Sequence, residues 1–237
     1  VDWATFGNTD NPRSTNGDYD YVDGSSNQLK TTRTITVTVT PGNDAPLRTQ
    51  ASVSLAAIDE DTHGAGASVV SLFSPAFSDA RDDVRSLTGD LSSSVANSFL
   101  GVALTEYVVN AAQGKWQVST NGGTTWADLP SNISLSNTYL LDSSPNTLLR
   151  YDPAPNFHGT PNVLKARLVD SSSGVLVNGT RLNLSPGTAT GGATRYSNFA
   201  NEVTLASSIT NVNDRPTATG GTLTAAEDIV TGSGTLV

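Results

Sequence analysis

Oxygen-bearing side chains crowd three stretches of this sequence. Asn43 and Asp44 stand in Pro41-Gly42-Asn43-Asp44-Ala45-Pro46. Asp59, Glu60 and Asp61 follow, and Asp79, Asp82 and Asp83 sit together in Phe77-Ser78-Asp79-Ala80-Arg81-Asp82-Asp83. Residues of these types do one kind of chemistry well. Ca²⁺ takes roughly six to eight hard oxygens from carboxylates, amides and backbone carbonyls, and a linker with two loops supplies them. The alternative is that each acidic turn is separately solvated, since bare carboxylates repel one another at short range. The same vocabulary returns near the end of the chain as Asn213-Asp214-Arg215-Pro216. Asp44 and Asp214 lie 170 positions apart, and each Asn-Asp-x-Pro is followed by an acidic pair, Glu60-Asp61 and then Glu227-Asp228.

The elements that must hold these residues are strands. Thr and Ser together number 59, the acids are 18 Asp against 4 Glu, and Lys occurs only three times. That balance favours strands and turns over helices. Apolar and polar residues alternate with period two most clearly over 34–40, and 51–56, 102–109, 139–141, 148–151, 163–168, 175–177 and 203–209 are further strand candidates. Residues 115–129 read as a hairpin turning at Asn121-Gly122, with Trp116 and Trp126 as core anchors. Only 75–80 and 92–100 have room for a short helical turn. Many short strands with Gly, Pro and Asn between them predict an all-β fold, an antiparallel β-sandwich. Proline removes a donor and fixes φ, so the two Asn-Asp-x-Pro segments mark the domain junctions. Residues 46–214 then form a central domain. Residues 1–45 either pair with 215–237 into a split small domain or belong to partial neighbouring domains.

From Asp170 to Ala200 the chain turns polar, Gly-rich and weakly periodic. Long irregular loops in compact domains are commonly functional. Gly191-Gly192 allows close backbone approach and can present amide N–H groups to a carboxylate, Asp170 can hold a cation that bridges to it, Ser171 offers an oxygen, and Arg195 beside Tyr196 suits a carboxylate or a local Asp; a plain surface loop is the alternative.

Several functions are disfavoured. A formal net charge of −9 opposes nucleic acid and anionic membranes. There is no Cys, hence no disulfide or thiolate site, and no Met, which reads as a piece of a longer polypeptide. No apolar run has the length of a membrane span. His63 and His158 sit in turn contexts outside any metalloprotease or hydrolase motif, so an enzyme is not expected.

Asn-Asp-x-Pro, then Glu-Asp, then Asp-Ala-x-Asp resembles the cadherin-like tandem domains of bacterial RTX adhesins. The central stretches 114–126, 149–160, 166–174 and 190–197 resemble the peptide-binding domain of that family. Here Tyr196 stands where the family commonly has Phe, and an aromatic near Leu168–Val169 is missing. The resemblance implies an extracellular, surface-anchored adhesion protein with Ca²⁺ at its domain junctions. It implicates Asn43, Asp44, Glu60, Asp61, Asp79 and Asp82 as ligands at the first junction, and Asn213, Asp214, Glu227 and Asp228 at the second. It further implies capture of a peptide or protein end by Asp170, Ser171, Gly191, Gly192, Arg195 and Tyr196, with neighbouring adhesin domains as the other partners. A Ca²⁺-stiffened spacer and a glycan-binding lectin are the competing expectations.

Overall fold

A computed structural model describes residues 42–83, 95–215 and 220, and the two short strands β1 (Tyr21–Val22) and β2 (Gln28–Leu29). The chain divides into two compact units, Val1–Thr40 and Pro41–Val237. In the first, β1 pairs antiparallel with β2. The strand expected over 34–40 lies outside the described residues. So does nearly all of the proposed pairing of 1–45 with 215–237.

Among its described residues the second unit is all-β apart from one short α-helix and two 3₁₀ turns. Its elements run β3 (Leu47–Arg48), β4 (Ser52–Ser54), β5 (Ile58–Asp59), β6 (Ala67–Ser68), α1 (Val69–Phe73), β7 (Phe77–Ser78), β8 (Phe99–Tyr107) and β9 (Gly114–Ser119). They continue with β10 (Ala127–Asp128), β11 (Tyr139–Asp142), β12 (Leu148–Pro153), β13 (Leu164–Asp170), β14 (Glu202–Ala206) and β15 (Ile209–Thr210). Two sheets dominate, one ordered β10-β9-β12-β6 and the other β11-β8-β13-β14-β4. Both contribute to one core. Trp116, Val118, Leu149 and Tyr151 of the first meet Val102, Leu104, Leu164, Ala166, Leu168, Val203 and Leu205 of the second. Each fully buried Leu there contributes about 1.5–3 kcal/mol. Trp116 packs edge-on to Tyr151 at 5.2 Å, and its indole N–H donates to the Asn162 carbonyl at 2.8 Å.

The outer face of the larger sheet is covered by the irregular 171–200 stretch. Leu176 and Leu184 join Ala103, Leu140 and Val169 in a second apolar cluster. Backbone bonds from Thr138 N–H to Leu182 O (2.9 Å), Leu140 N–H to Thr180 O (3.0 Å) and Leu184 N–H to Leu135 O (2.8 Å) tie the stretch down. It is a covering layer that satisfies the outer edge of β11, since an open edge leaves donors and acceptors unpaired.

Local expectations need five corrections. Residues 175–177 form no strand: Val175 is 82% exposed and Val177 61%, while Leu176 alone turns inward. The helical turn lies at 69–73, with Ser68 Oγ accepting from Ser71 N–H at 3.2 Å, and continues as a 3₁₀ turn over Ser74–Ala76 before β7. Phe99 and Leu100 begin β8 and are not helical. The hairpin turn is wider than a two-residue loop, since β9 and β10 pair from Val118↔Ala127. Ser119 Oγ and the Asn121 side chain organise that loop, and Gly122 (φ 69°) and Gly123 (φ 89°) take its left-handed positions. Trp126 is not a core anchor but half-buried, with the Arg150 guanidinium 4.2 Å from its ring centroid.

Leu168→Ala, which empties the centre of the core, is expected to lower unfolding free energy by about 2–5 kcal/mol. Val175→Ala is expected to shift it by less than about 0.5 kcal/mol. Urea titration of both variants checks the burial pattern.

Candidate metal centre and ligand site

The acidic groups separate into two sets. At the entry to the second unit, Asn43 and Asp44 come beside Asp79, Asp82 and Asn97. The Asp44 N–H donates to Asp82 Oδ1 at 2.8 Å, and the Asn97 N–H to Asp79 Oδ2 at 2.7 Å. The Asn97 amide donates to both Asn43 Oδ1 (3.0 Å) and Asp82 Oδ2 (2.8 Å). Two acceptors thus converge on one donor, the position a cation takes among oxygens. Asn97 was not singled out in the sequence; it stands in irregular chain just before β8 and carries no periodic or motif signal.

Asp170 joins this set. The pairing of β13 with β8 shifts register between Val169↔Gly101 and Asp170↔Phe99, leaving Leu100 as an extra residue on β8, and such a bulge re-aims the side chains beside it. Asp79, Asp82 and Asp170 are 4%, 4% and 0% exposed. Burial raises the Asp79 carboxyl from its ordinary 3.8 to about 6; hydrogen bonds from Asn97 oppose the rise, and the charges of Asp82 and Asp170 add to it. Asp79 Oδ1 and Asp170 Oδ2 are buried with no hydrogen-bond partner among the described residues, a costly state for a carboxylate oxygen. Among those residues no three His, Cys, Asp or Glu side chains close up as a metal cage; the donors at the entry are carboxylate and amide oxygens mixed. That set suits a hard cation such as Ca²⁺, for which amide and backbone oxygens are ordinary ligands.

Next to Asp170 lie the other residues expected to grip a ligand. Ser171 Oγ accepts from the Ser98 N–H at 3.0 Å, and the Asp170 N–H donates to Arg195 O at 3.0 Å. Gly191 (φ 72°) and Gly192 (φ 56°) make a tight turn closed by Gly191 N–H to Tyr196 O at 2.8 Å. The Gly191 amide is therefore committed inside the turn, not offered outward as expected. Gly192 O instead accepts from Ala45 N–H at 2.7 Å, and the Asn43 amide reaches Ala193 O and Thr194 O at 3.4 and 3.3 Å. The loop thereby clasps the incoming chain. Arg195 presents Nε and Nη2 buried and unpartnered among the described residues, with its guanidinium 5.9 Å from the Tyr196 ring. Nε and Nη2 form one edge of the guanidinium fork, the edge that binds a carboxylate with two parallel bonds.

Glu60 and Asp61 belong to the other set, at the exit. Glu60 is 2% exposed, and its Oε1 accepts from Val212 N–H (2.7 Å) and the Asn211 amide (2.9 Å). Its Oε2 is 3.5 Å from His158 Nδ1, too long for a hydrogen bond and an ion pair only when the imidazole is protonated. Asp61, with φ of 61°, accepts from the Asn156 N–H at 3.1 Å. Grouping Glu60 and Asp61 with Asn43 and Asp79 at one junction is thus corrected by the fold. The parallel pairing of β15 with β5, Ile209↔Ile58 and Thr210↔Asp59, carries Glu60 to the outgoing segment. Asn213 and Asp214 are exposed there. The Asn213 amide donates to Asp214 O at 3.4 Å, as that of Asn43 does to Asp44 O at 3.3 Å, so the repeated motif has a repeated local geometry. Glu227 and Asp228 lie outside the described residues.

A groove of about 620 Å³ opens elsewhere, where β9 and β10 of one sheet approach β11 of the other. Trp126, Tyr139, Asp142, Leu176, Val177 and Asn178 are among its lining residues. Comparison with protein-family models, curated proteins and solved structures finds no match.

The raised Asp79 value fixes a sign. Between about pH 4 and pH 6 the unfolded chain gives up a proton that the folded chain keeps at Asp79, so the contribution of Asp79 to the stability of metal-free protein falls as pH rises through that window. In EDTA, Asp79→Asn is expected to gain on wild type by on the order of 2 kcal/mol between pH 4 and pH 7. Urea titrations at both pH values measure the gap.

Proposed function

We propose that this chain is a Ca²⁺-dependent ligand-binding module of a bacterial surface adhesin, acting outside the cell in adhesion and biofilm formation. Its ligand is the carboxylate end of a peptide or protein on a partner surface. The observation that carries the reading is the pair of buried, donor-less oxygens, Asp79 Oδ1 and Asp170 Oδ2, in one acidic cluster where the incoming chain meets the 171–200 loop. Asp79, Asp82 and Asp170, with the amide oxygens of Asn43 and Asn97, are the residues that would hold the ion; Asn97 contributes its oxygen by turning its amide over. The bound ion supplies positive charge that neutralises the acids and attracts a further carboxylate. Asp170 belongs to both halves of the site, and the Nε/Nη2 edge of Arg195 is a second anchor for the same carboxylate. Tyr196 packs beside it in the covering layer. Glu60, Asp61, Asn213 and Asp214 would form a separate acidic set at the exit, toward a neighbouring adhesin domain.

Calorimetry with Ca²⁺, and then with peptides bearing a free or an amidated C-terminus, tests this reading. Ca²⁺ is expected to bind and raise the melting temperature. Free-carboxylate peptides are expected to bind only in its presence, and Asp170→Ala to weaken capture at least about tenfold with the fold retained, by removal of a charged partner. Absence of both Ca²⁺ heat and a melting shift overturns the proposal. Ca²⁺ binding without any peptide response leaves the stiffened spacer instead.

The groove at Trp126 and Tyr139 favours a second reading, a lectin. Aromatic faces beside Asp142 and Asn178 suit a sugar's C–H face and hydroxyls. A glycan array decides it, with Trp126→Ala expected to abolish any hit.

A further inference from the structure

The segment entering the second unit and the segment leaving it run side by side in the same direction. β14 pairs parallel with β4 through Thr204↔Ser52, Leu205↔Val53 and Ala206↔Ser54, and β15 pairs parallel with β5. Bonds continue along the whole seam. Ala45 N–H donates to Gly192 O (2.7 Å), Thr204 N–H to Ala51 O (3.0 Å), Leu55 N–H to Ala206 O (3.0 Å), Ile58 N–H to Ser208 O (3.1 Å) and Glu60 N–H to Thr210 O (3.0 Å). Side chains reinforce both ends. Arg48 N–H meets Asn201 Oδ1 at 3.1 Å near the start, and Glu60 Oε1 takes the Val212 N–H at 2.7 Å at the finish.

From this seam we infer a load-bearing function: the second unit is a force-resistant link between the chain segments on its two sides, with the entry–exit seam as its clasp. The mechanics follow from direction. In a parallel pair the incoming chain attaches at one end and the outgoing chain at the other, so tension along the polypeptide slides the strands past each other. Every bond of the seam then carries load at once, whereas force applied at one end of both strands opens the bonds singly. One face of the seam packs on the core, while Ser52, Ser54 and Asp59 on the incoming side are exposed. Val203, Leu205 and Ile209 are buried on the outgoing side, and Val53, Leu55 and Ile58 pack against the same core. β14 is held on its other edge by β13, and β15 by Gly159, whose N–H and O both bond Ile209, at 2.8 and 2.9 Å. The outgoing segment is therefore anchored on both sides, and the β4–β14 and β5–β15 pairs are where sliding must begin.

The inference does not rest on ion or peptide binding, so its test is run in EDTA without ligand. The chain contains no cysteine, so paired thiols placed in the full chain give unique handles for single-molecule pulling. Gly42→Cys with Arg215→Cys loads the seam lengthwise. Gln50→Cys with Ala200→Cys peels it from the start, and Thr62→Cys with Asn213→Cys peels it from the finish; all six positions are exposed. At one pulling speed, the lengthwise pair is expected to unfold at about twice or more the force of either peeling pair, since several bonds then share one barrier. Equal forces in the three geometries, or a lower force lengthwise, overturn the inference.

Discussion

The pairing of β13 with β8 on one side and β14 on the other is the interaction on which the rest of this unit depends. β13 is buried along both faces. Leu164, Ala166 and Leu168 enter the core between the sheets, and Val169 supports the layer formed by 171–200. A strand buried on both sides has little freedom of register, because a one-residue slip exchanges the two sets of side chains. What stands at its end is therefore placed firmly. That residue is Asp170, fully buried beyond the bulge. On its far side, β14 carries the chain to β4, so the same strand fixes both the acidic cluster and the entry–exit seam.

Strands were legible where apolar, β-favouring residues ran between turn signals. β8, β11, β12, β13 and β14 fall within a few residues of the strand candidates read from the sequence. The misses share a cause: local pattern was outvoted by distant contacts. Val69-Val70 in α1 looks like strand, yet a Ser68 cap and burial of Val69, Leu72 and Phe73 turn it into helix. Val175-Leu176-Val177 has strand-favouring residues, but the edge of β11 is already satisfied by neighbouring backbone, and only Leu176 turns inward.

The candidate site was legible in its residue types and not in its grouping. Asn43, Asp44, Asp79 and Asp82 come together as the spacing suggested. Asp170, read from sequence as part of a separate ligand loop, is in the same cluster. Glu60 goes to the opposite end because parallel pairing across some 150 residues decides its neighbours, and no local motif encodes that. A carboxylate's sequence position shows that it can bind a cation. Which other oxygens it meets is a property of strand order.

Both acidic sets sit where the parallel seam begins and ends, and this has an electrostatic consequence. The backbone at these two points is held partly by carboxylates: Asp82 takes the Asp44 N–H at the entry and Glu60 takes the Val212 N–H at the exit. Such charge-assisted bonds are stronger than neutral ones, but at the entry they need acids buried beside other acids. The Asp79 carboxyl shows the cost, since it holds its proton to about pH 6. Above that pH the cluster carries uncompensated negative charge unless a cation replaces the proton. A proton satisfies one oxygen and leaves the rest repelling, whereas a divalent ion, bound as proposed, would draw several oxygens together. The entry of the seam would then be tightest where Asp79 is deprotonated and a hard cation takes the place of the proton.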